Sequence, residues 1–153
     1  MKIIFLDIDG VLNCDTTVES CGNYLGIDNS KLKLLAEIVD KTKAKVVLTS
    51  TWKDKWVREG GEKYKQDELA NYLDTEFFRY GIIVYDKTTD DLFDRGLGIR
   101  RWKAEKEVES FVILDDNVFD YKEQMLVSNL ILTDGHKGLT EDDVKRAINI
   151  LMG

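Results

Sequence analysis

The chain alternates short apolar runs with longer segments in which apolar residues recur at helical spacing. Short apolar runs bounded by polar residues predict buried strands. The five predicted strands are Lys2–Leu6, Lys45–Thr49, Ile82–Tyr85, Phe111–Leu114 and Leu130–Leu132. Strands that alternate with helices are typical of βαβ units. The pattern therefore predicts an α/β fold with a mostly parallel five-stranded sheet.

Helical spacing and capping residues define the segments between these strands. Asp28, Asn29 and Ser30 are helix-capping residues that precede a first helical segment, and Gly81 is suited to the position after a helix end. The predicted helices cover about 32–43, Asp67–Tyr80, Gly98–Lys106, Phe119–Val127 and the segment from Thr140 to Met152. Residues 13–27 are polar and contain glycine, which predicts a short flap and not a domain.

Composition limits the class of protein. The 153 residues, 43% of them hydrophobic, suit one domain of ordinary size. No apolar run approaches a membrane span, and Asp7 and Asp9 interrupt the first apolar run, so no signal peptide is expected. Cys14 and Cys21 form no disulfide framework and are expected to be reduced thiols. We therefore expect a cytoplasmic protein with no membrane contact.

The charge balance directs attention to the aspartates. The net charge of −7 argues against a surface that coats nucleic acid or anionic membrane as a whole. Asp supplies 18 of the 29 acidic residues, although Glu suits helices better and Asp collects in caps, turns and sites. The positions of the aspartates therefore carry the functional information.

Three predicted strands end in polar groups. The first ends in Asp7-Ile8-Asp9-Gly10, the second in Thr49-Ser50-Thr51, and the fourth in Asp115-Asp116-Asn117. Ligands of open parallel sheets bind at the carboxyl ends of the strands. Carboxylates that converge there repel one another without a counter-ion, and oxygen ligands suit Mg²⁺. At any one strand these residues are simply turn formers, but the ordered set of three favours a magnesium site.

These segments resemble a known superfamily. FLDIDGVLN is similar to the first motif of the haloacid dehalogenase (HAD) superfamily, VVLTST to its second motif and VILDDN to its fourth. More narrowly, STW, RGLGIRRW, LDDN and TDGHKGLT resemble segments of small HAD domains found in or near bacterial RNA-repair proteins. The resemblance implies a three-layer Rossmann-like α/β fold with helices on both faces of the sheet and a minimal cap. It also implies one HAD-like domain over residues 1–153 without a true cap domain.

The resemblance implies a phosphoryl-transfer site. Asp7 would be the nucleophile and Asp9 the general acid and base. Mg²⁺ would be held by Asp7, the Asp9 backbone carbonyl and Asp115, with Asp116 as a further ligand or as a partner of the ligands. Gly10 would leave room for the phosphate. The implied activity is that of a Mg²⁺-dependent phosphatase acting through an aspartyl-phosphate.

Two positions of this implied site stay open. Thr49 or Ser50 would bind phosphate through the second motif. Arg95 would be the cation of the third motif, with Lys87 or Lys53 as substitutes, because the usual Lys-Pro pair is absent from this proline-free chain.

The implied substrate is phosphorylated, and an open site suits a nucleotide or the end of a nucleic acid. Thr51–Gln66 and Arg95–Lys106 are basic segments interleaved with aromatic residues, a pattern that suits phosphates and unpaired bases. The alternative is that they are solvated helix faces whose tryptophans pack into the core. No obligate protein partner is evident, and His136 is expected to be solvated.

Two other functions fit parts of the pattern. A receiver-like signalling module also gathers aspartates, a hydroxyl and a cation around Mg²⁺, but its motifs follow a different order. An accessory domain could bind nucleic acid and keep a vestigial phosphatase site.

Overall fold

The computed structural model describes residues 1–56, 67–90 and 93–153. Within these ranges a strand and a small hairpin precede helices that alternate with strands. The elements are β1 (Lys2–Leu6), β2 (Ser20–Cys21), β3 (Tyr24–Leu25), α1 (Asn29–Thr42), β4 (Lys45–Leu48), a 3₁₀ helix (Thr51–Asp54), α2 (Glu68–Phe78), β5 (Val84–Lys87), α3 (Arg95–Ala104), β6 (Ser110–Asp115), a second 3₁₀ helix (Val127–Asn129), β7 (Leu130–Leu132) and α4 (Glu141–Met152).

The predicted parallel sheet is confirmed, with strand order β5-β4-β1-β6-β7. β1 lies at its centre, and Leu6 is in register with Leu48 on one side and Leu114 on the other. The next backbone amides continue the ladders, because Asp7 donates to the Leu114 carbonyl and Thr49 donates to the Leu6 carbonyl, both at 2.9 Å. The residues that follow these three strands therefore lie side by side at one edge of the sheet.

Helices cover both faces of the sheet, as the three-layer expectation requires. On one face α1, α2 and α4 bury side chains such as Leu35, Phe77 and Val144 against β1, β4 and β6. On the other face α3 contributes Ile99 and Trp102 to a second apolar cluster with Phe5. None of the described helices is long and apolar enough to span a membrane.

Most helix boundaries follow from local capping. Asp28 caps α1 by accepting a hydrogen bond from the Ser30 amide at 2.9 Å. Thr140 begins α4 with a reciprocal capping box to Asp143. Gly81 adopts φ +75° after α2, a conformation that glycine tolerates best.

The helix predicted over Phe119–Val127 is wrong. This segment consists of turns that lead to the second 3₁₀ helix, and Phe119 and Met125 have positive φ angles of 35° and 57°. Residues with these left-handed φ angles cannot continue a right-handed helix, so no helix runs through Phe119 and Met125. The apolar spacing of this segment therefore predicted a helix that the backbone conformation does not form.

Other elements differ from the predictions in their bounds, mostly by one to three residues, and one hairpin was not predicted. β5 covers Val84–Lys87 and not Ile82–Tyr85, and its register with β4 shifts between Val46 and Val47. α3 begins at Arg95, three residues before the predicted start. The 13–27 segment contains the β2–β3 hairpin, which the sequence pattern did not predict. Cys14 and Cys21 are both buried and free.

Candidate active site

A cluster of three carboxylates lies at the carboxyl ends of β1 and β6. Asp7 follows β1 directly, Asp115 is the last residue of β6, and Asp116 comes next. One oxygen from each of the three lies within 4.8 Å of the others. Asp7 and Asp115 are buried and Asp116 is exposed, so the cluster opens to solvent on one side. The structure thus brings together three of the four predicted metal ligands by their side chains.

Arg95 bridges the two buried carboxylates. One guanidinium nitrogen, Nη1, lies 3.0 Å from Asp7 Oδ1 and 3.0 Å from Asp115 Oδ2. The guanidinium carbon stacks 4.3 Å from the centre of the Phe119 ring, and 8% of the side chain is exposed. Three acidic groups and one cation leave the cluster short of positive charge.

The start of α3 is fixed by an acidic side chain from the loop after β6. The Asp120 carboxylate accepts hydrogen bonds from the amides of Gly96 and Leu97 at 2.6 and 3.0 Å. An acid at a helix N-terminus is stabilised by the unpaired amides there. Because Arg95 is the first residue of α3, this contact also sets the position of its side chain.

Burial and crowding perturb the titration of the cluster. Burial and the neighbouring Asp115 charge raise the pKa of Asp7 to about 8, although Arg95 opposes them. Burial also raises the pKa of Asp115, against hydrogen bonds from Tyr121 Oη at 2.6 Å, the Arg95 guanidinium and the Asn117 amide at 3.0 Å. A hard divalent cation would relieve this shortage of positive charge, so the oxygen-only donor set fits Mg²⁺.

Asp9 follows Asp7 by two residues, is exposed, and has its carboxylate held from two sides. Trp52 Nε1 donates to Asp9 Oδ2 at 3.2 Å, and Asn13 Nδ2 donates to Asp9 Oδ1 at 2.8 Å. Asn13 is itself fixed, because its amide nitrogen also donates to the Gly26 carbonyl and its oxygen accepts from the Gly10 amide. The carboxylate of Asp9 is therefore exposed but oriented.

Gly10 packs against the acidic cluster. It has φ +81°, and a Cβ at this position would lie 2.6 Å from Cγ of Asp116 and closer still to Asp116 Oδ2. Its carbonyl accepts a hydrogen bond from Thr133 Oγ1 at 2.8 Å. The sequence predicted that a side chain at Gly10 would crowd phosphate, and the structure shows that it would crowd Asp116.

The two candidate hydroxyls after β4 differ in their surroundings. Ser50 Oγ accepts a hydrogen bond from the Trp52 amide at 3.2 Å and caps the first 3₁₀ helix. Thr49 Oγ1 is buried and has no hydrogen-bond partner among the described residues. Thr49 follows β4, and its amide continues the ladder to the Leu6 carbonyl, so Thr49 lies next to Asp7 at this edge of the sheet.

A comparison with known protein families shows to which family this chain belongs. Residues 3–144 match the family model described as the HAD domain in Swiss Army Knife RNA repair proteins. The chain belongs to this HAD family. None of the curated proteins matches the chain closely enough to count as a relative. The match agrees with the order of the motifs along the chain, which favoured the HAD superfamily over a receiver-like module.

The HAD domain places Lys53 and Lys87 away from the carboxylate cluster. Lys53 Nζ forms a buried ion pair with Asp90 and donates to Thr88 Oγ1 at 3.0 Å. Lys87 Nζ donates to the carbonyls of Lys53 and Trp56 at 2.9 and 2.8 Å. Of the three predicted cations, Arg95 alone contacts the acidic cluster within the described ranges.

The tryptophans of the two basic segments are core residues in this HAD domain. Trp52, Trp56 and Trp102 are at most 8% exposed, and their indole N–H groups donate to Asp9, Asp74 and Asp86 respectively. The three indole rings therefore pack into the core, as the alternative expected of the tryptophans, and present little surface for bases to stack on. Most basic residues of Thr51–Gln66 lie at 57–66, outside the described residues.

Sequence reasoning missed the residues that hold the site in place. Asn13 and Trp52 donate to the Asp9 carboxylate, and Tyr121 donates to the Asp115 carboxylate. Asp120 fixes the start of α3. Of these residues, Asn13 alone lies close to a motif in the sequence, three residues after DxDG, so its contact with the site could have been predicted locally. The other contacts depend on how loops from different strands meet.

Proposed function

We propose that this HAD domain is a Mg²⁺-dependent phosphohydrolase that acts through an aspartyl-phosphate on Asp7. The observation that carries the proposal is the convergence of Asp7, Asp115 and Asp116 with Arg95 at the carboxyl ends of adjacent parallel strands. Three acids at a sheet edge serve no packing purpose, and Arg95 supplies the charge that a phosphate needs.

The donor set supports Mg²⁺ as the cofactor. Asp7, Asp115 and Asp116 would hold the ion together with the backbone carbonyl of Asp9. When bound, the ion would offset the negative charge of the substrate phosphate and make its phosphorus easier to attack.

The chemistry of the chain itself divides into two displacements. In the first, an Asp7 oxygen forms a bond to phosphorus while the bond to the ester oxygen breaks, and Asp9 gives its proton to the departing oxygen. In the second, Asp9 takes a proton from water, the water oxygen bonds to phosphorus, and the bond to Asp7 breaks. Inorganic phosphate leaves and both carboxylates return to their starting state.

The other site residues bind the transferring group. The Arg95 guanidinium offsets negative charge on the phosphoryl oxygens, and the unpartnered hydroxyl of Thr49 donates to one of them. Ser50 would add its backbone amide, or its hydroxyl hydrogen, which stays available because Ser50 Oγ accepts and does not donate in its bond with the Trp52 amide. Trp52 and Asn13 keep Asp9 directed at the leaving oxygen.

The substrate class follows from the access to the site. We propose that the 13–27 segment, which holds the short β2–β3 hairpin, is a flap and that the domain has no true cap. An open site admits a large substrate that completes the pocket itself. The family description names RNA repair proteins, which supports the phosphorylated end of a nucleic acid, or a nucleotide, as the substrate.

The test is a phosphate-release screen with and without Mg²⁺. Substrates are 3′- and 5′-phosphorylated oligoribonucleotides, nucleotides, sugar phosphates and a phosphopeptide. We expect Mg²⁺-dependent release from one nucleotide or end-phosphorylated class, and a decrease of about 10³-fold or more for Asp7→Asn. Asp15→Asn is the matched control, because Asp15 is exposed and contacts His136 outside the cluster.

Two outcomes would contradict the proposal. Retained turnover in Asp7→Asn would exclude the aspartyl-phosphate. Absence of release from every substrate, together with salt-dependent binding of a single strand, would favour the accessory domain with a vestigial site.

A further inference from the structure

A pocket lies on the flank of α3, away from the carboxylate cluster. It has a volume of about 460 Å³ and is formed between the C-terminal half of α3, the start of β6 and residues 124–129. Arg100 and Lys103 line it from α3, Phe111 lines it from β6, and the exposed side chain of Met125 forms part of its rim. The proposed hydrolysis uses none of these residues.

The pocket carries positive charge that the protein does not neutralise. Arg100 Nη1 donates to the Gln124 carbonyl at 3.2 Å, and Lys103 Nζ lies 3.6 Å from the centre of the Phe111 ring. Neither side chain forms an ion pair with an acid in the described ranges. Burial and the nearby Arg100 charge lower the pKa of Lys103. Two adjacent cations in a concave surface, with an aromatic ring beneath one of them, form a site for an anion.

The distance between the pocket and the carboxylate cluster can be measured along α3 and along β6. Arg95 and Lys103 are eight residues apart on α3, which is about 12 Å at 1.5 Å per residue. Asp115 and Phe111 are four residues apart on β6, which is about 13 Å at 3.3 Å per residue. A stacked nucleic-acid strand covers this distance in three or four nucleotides at about 3.4 Å each.

We propose that this pocket binds the backbone of a single-stranded nucleic acid three to four nucleotides from the phosphorylated end that lies at Asp7. The proposal rests on the proposed function for the identity of that end. Arg100 and Lys103 contact phosphates of the strand, and the apolar surface around Phe111 and Met125 contacts a base or sugar. The pocket thereby makes the domain prefer oligonucleotides to mononucleotides.

The experiment compares chain length and salt dependence. Oligoribonucleotides of one to eight nucleotides, phosphorylated at the 3′ or 5′ end, are used with the wild type and with Arg100→Gln/Lys103→Gln. Turnover is measured with active protein, and binding by fluorescence anisotropy in an Asp7→Asn background. Lys145→Gln is the matched control, because Lys145 is an exposed lysine of α4.

The wild type should show a KM that falls with length up to about five nucleotides. The double variant should lose this fall, with a KM about fivefold or more higher for long oligonucleotides and unchanged for the mononucleotide. The plot of log affinity against log salt concentration should be less steep for the double variant by about 1.4, which corresponds to two lost phosphate contacts. Arg100→Lys/Lys103→Arg keeps both charges and should retain binding.

The outcomes separate this inference from the proposed function. Turnover with no length dependence, and no difference between the double variant and Lys145→Gln, would overturn the pocket and leave the phosphatase intact. A second outcome is that the wild type releases no phosphate from any oligonucleotide but the double substitution still weakens binding. This result would support the pocket and contradict the phosphatase. The binding series is repeated with oligodeoxyribonucleotides, and an equal effect of the double variant on DNA and RNA would support recognition through the shared phosphate backbone.

Discussion

Replacing Gly10 with alanine tests how closely the first loop approaches Asp116. The residue has φ +81°, and an added Cβ would lie 2.6 Å from Cγ of Asp116 and 3.0 Å from its Cβ. Alanine therefore introduces backbone strain and a collision with a carboxylate of the acidic cluster. The variant should be less stable and should bind Mg²⁺ more weakly, because Asp116 must move.

The expected loss of stability in Gly10→Ala has two parts. A left-handed backbone costs an L-residue about 1–2 kcal/mol relative to glycine. Overpacking of a crowded position costs about 1–3 kcal/mol more. We expect Gly10→Ala to lower the free energy of unfolding by about 2–5 kcal/mol.

A second glycine separates the two parts. Gly81 has φ +75°, and nothing lies within 4 Å of a Cβ built there. Gly81→Ala should therefore show the backbone part alone, about 1–2 kcal/mol. Urea denaturation of both variants gives the difference, and thermal shift on Mg²⁺ addition reports binding.

The mutual dependence of Gly10 and Asp116 is measured by a double-mutant cycle. Asp116→Ala removes the carboxylate, so Gly10→Ala should cost less in that background. Equal costs for Gly10→Ala and Gly81→Ala, or additivity with Asp116→Ala, would refute the close approach.

Three further predictions concern single contacts. Tyr121→Phe should lower the free energy of unfolding by about 1.5–3 kcal/mol in urea titrations, because the buried Asp115 carboxylate loses a hydrogen-bond donor. Thr140→Ala should lower it by about 1 kcal/mol, and should weaken α4 in hydrogen exchange, because the helix loses its capping box. Burial raises the pKa of Asp74 above its ordinary value of 3.8, although the Trp56 indole N–H opposes this. The folded state therefore binds the proton more tightly, and this group makes stability fall as pH rises from about 3.8 through the folded pKa. Asp74→Asn should lack that fall, and parallel stability profiles from pH 4 to 8 for variant and wild type would contradict the argument.

The sequence determined the five strands of the main sheet and the polar groups that follow three of them. Apolar runs separated by helical segments are sufficient to predict the parallel sheet, because burial imposes those periods on the chain itself. DxDG, the hydroxyls after the second strand and the acidic pair after the fourth are each local to a strand end. Their place at one edge follows from the geometry of parallel strands. Asp7, Thr49 and Asp115 could therefore be predicted to meet.

Tertiary structure decided which side chains hold that site. Local pattern could not distinguish Arg95 from Lys53 or Lys87, because the choice depends on where α3 begins relative to β6. It could not assign Trp52 either, since its indole reaches Asp9 across 43 residues. Contacts between residues so far apart are set by how loops pack, and no periodicity of the chain records that packing. The sequence thus determined which polar groups gather at the candidate site, and only the fold determined which side chains orient them.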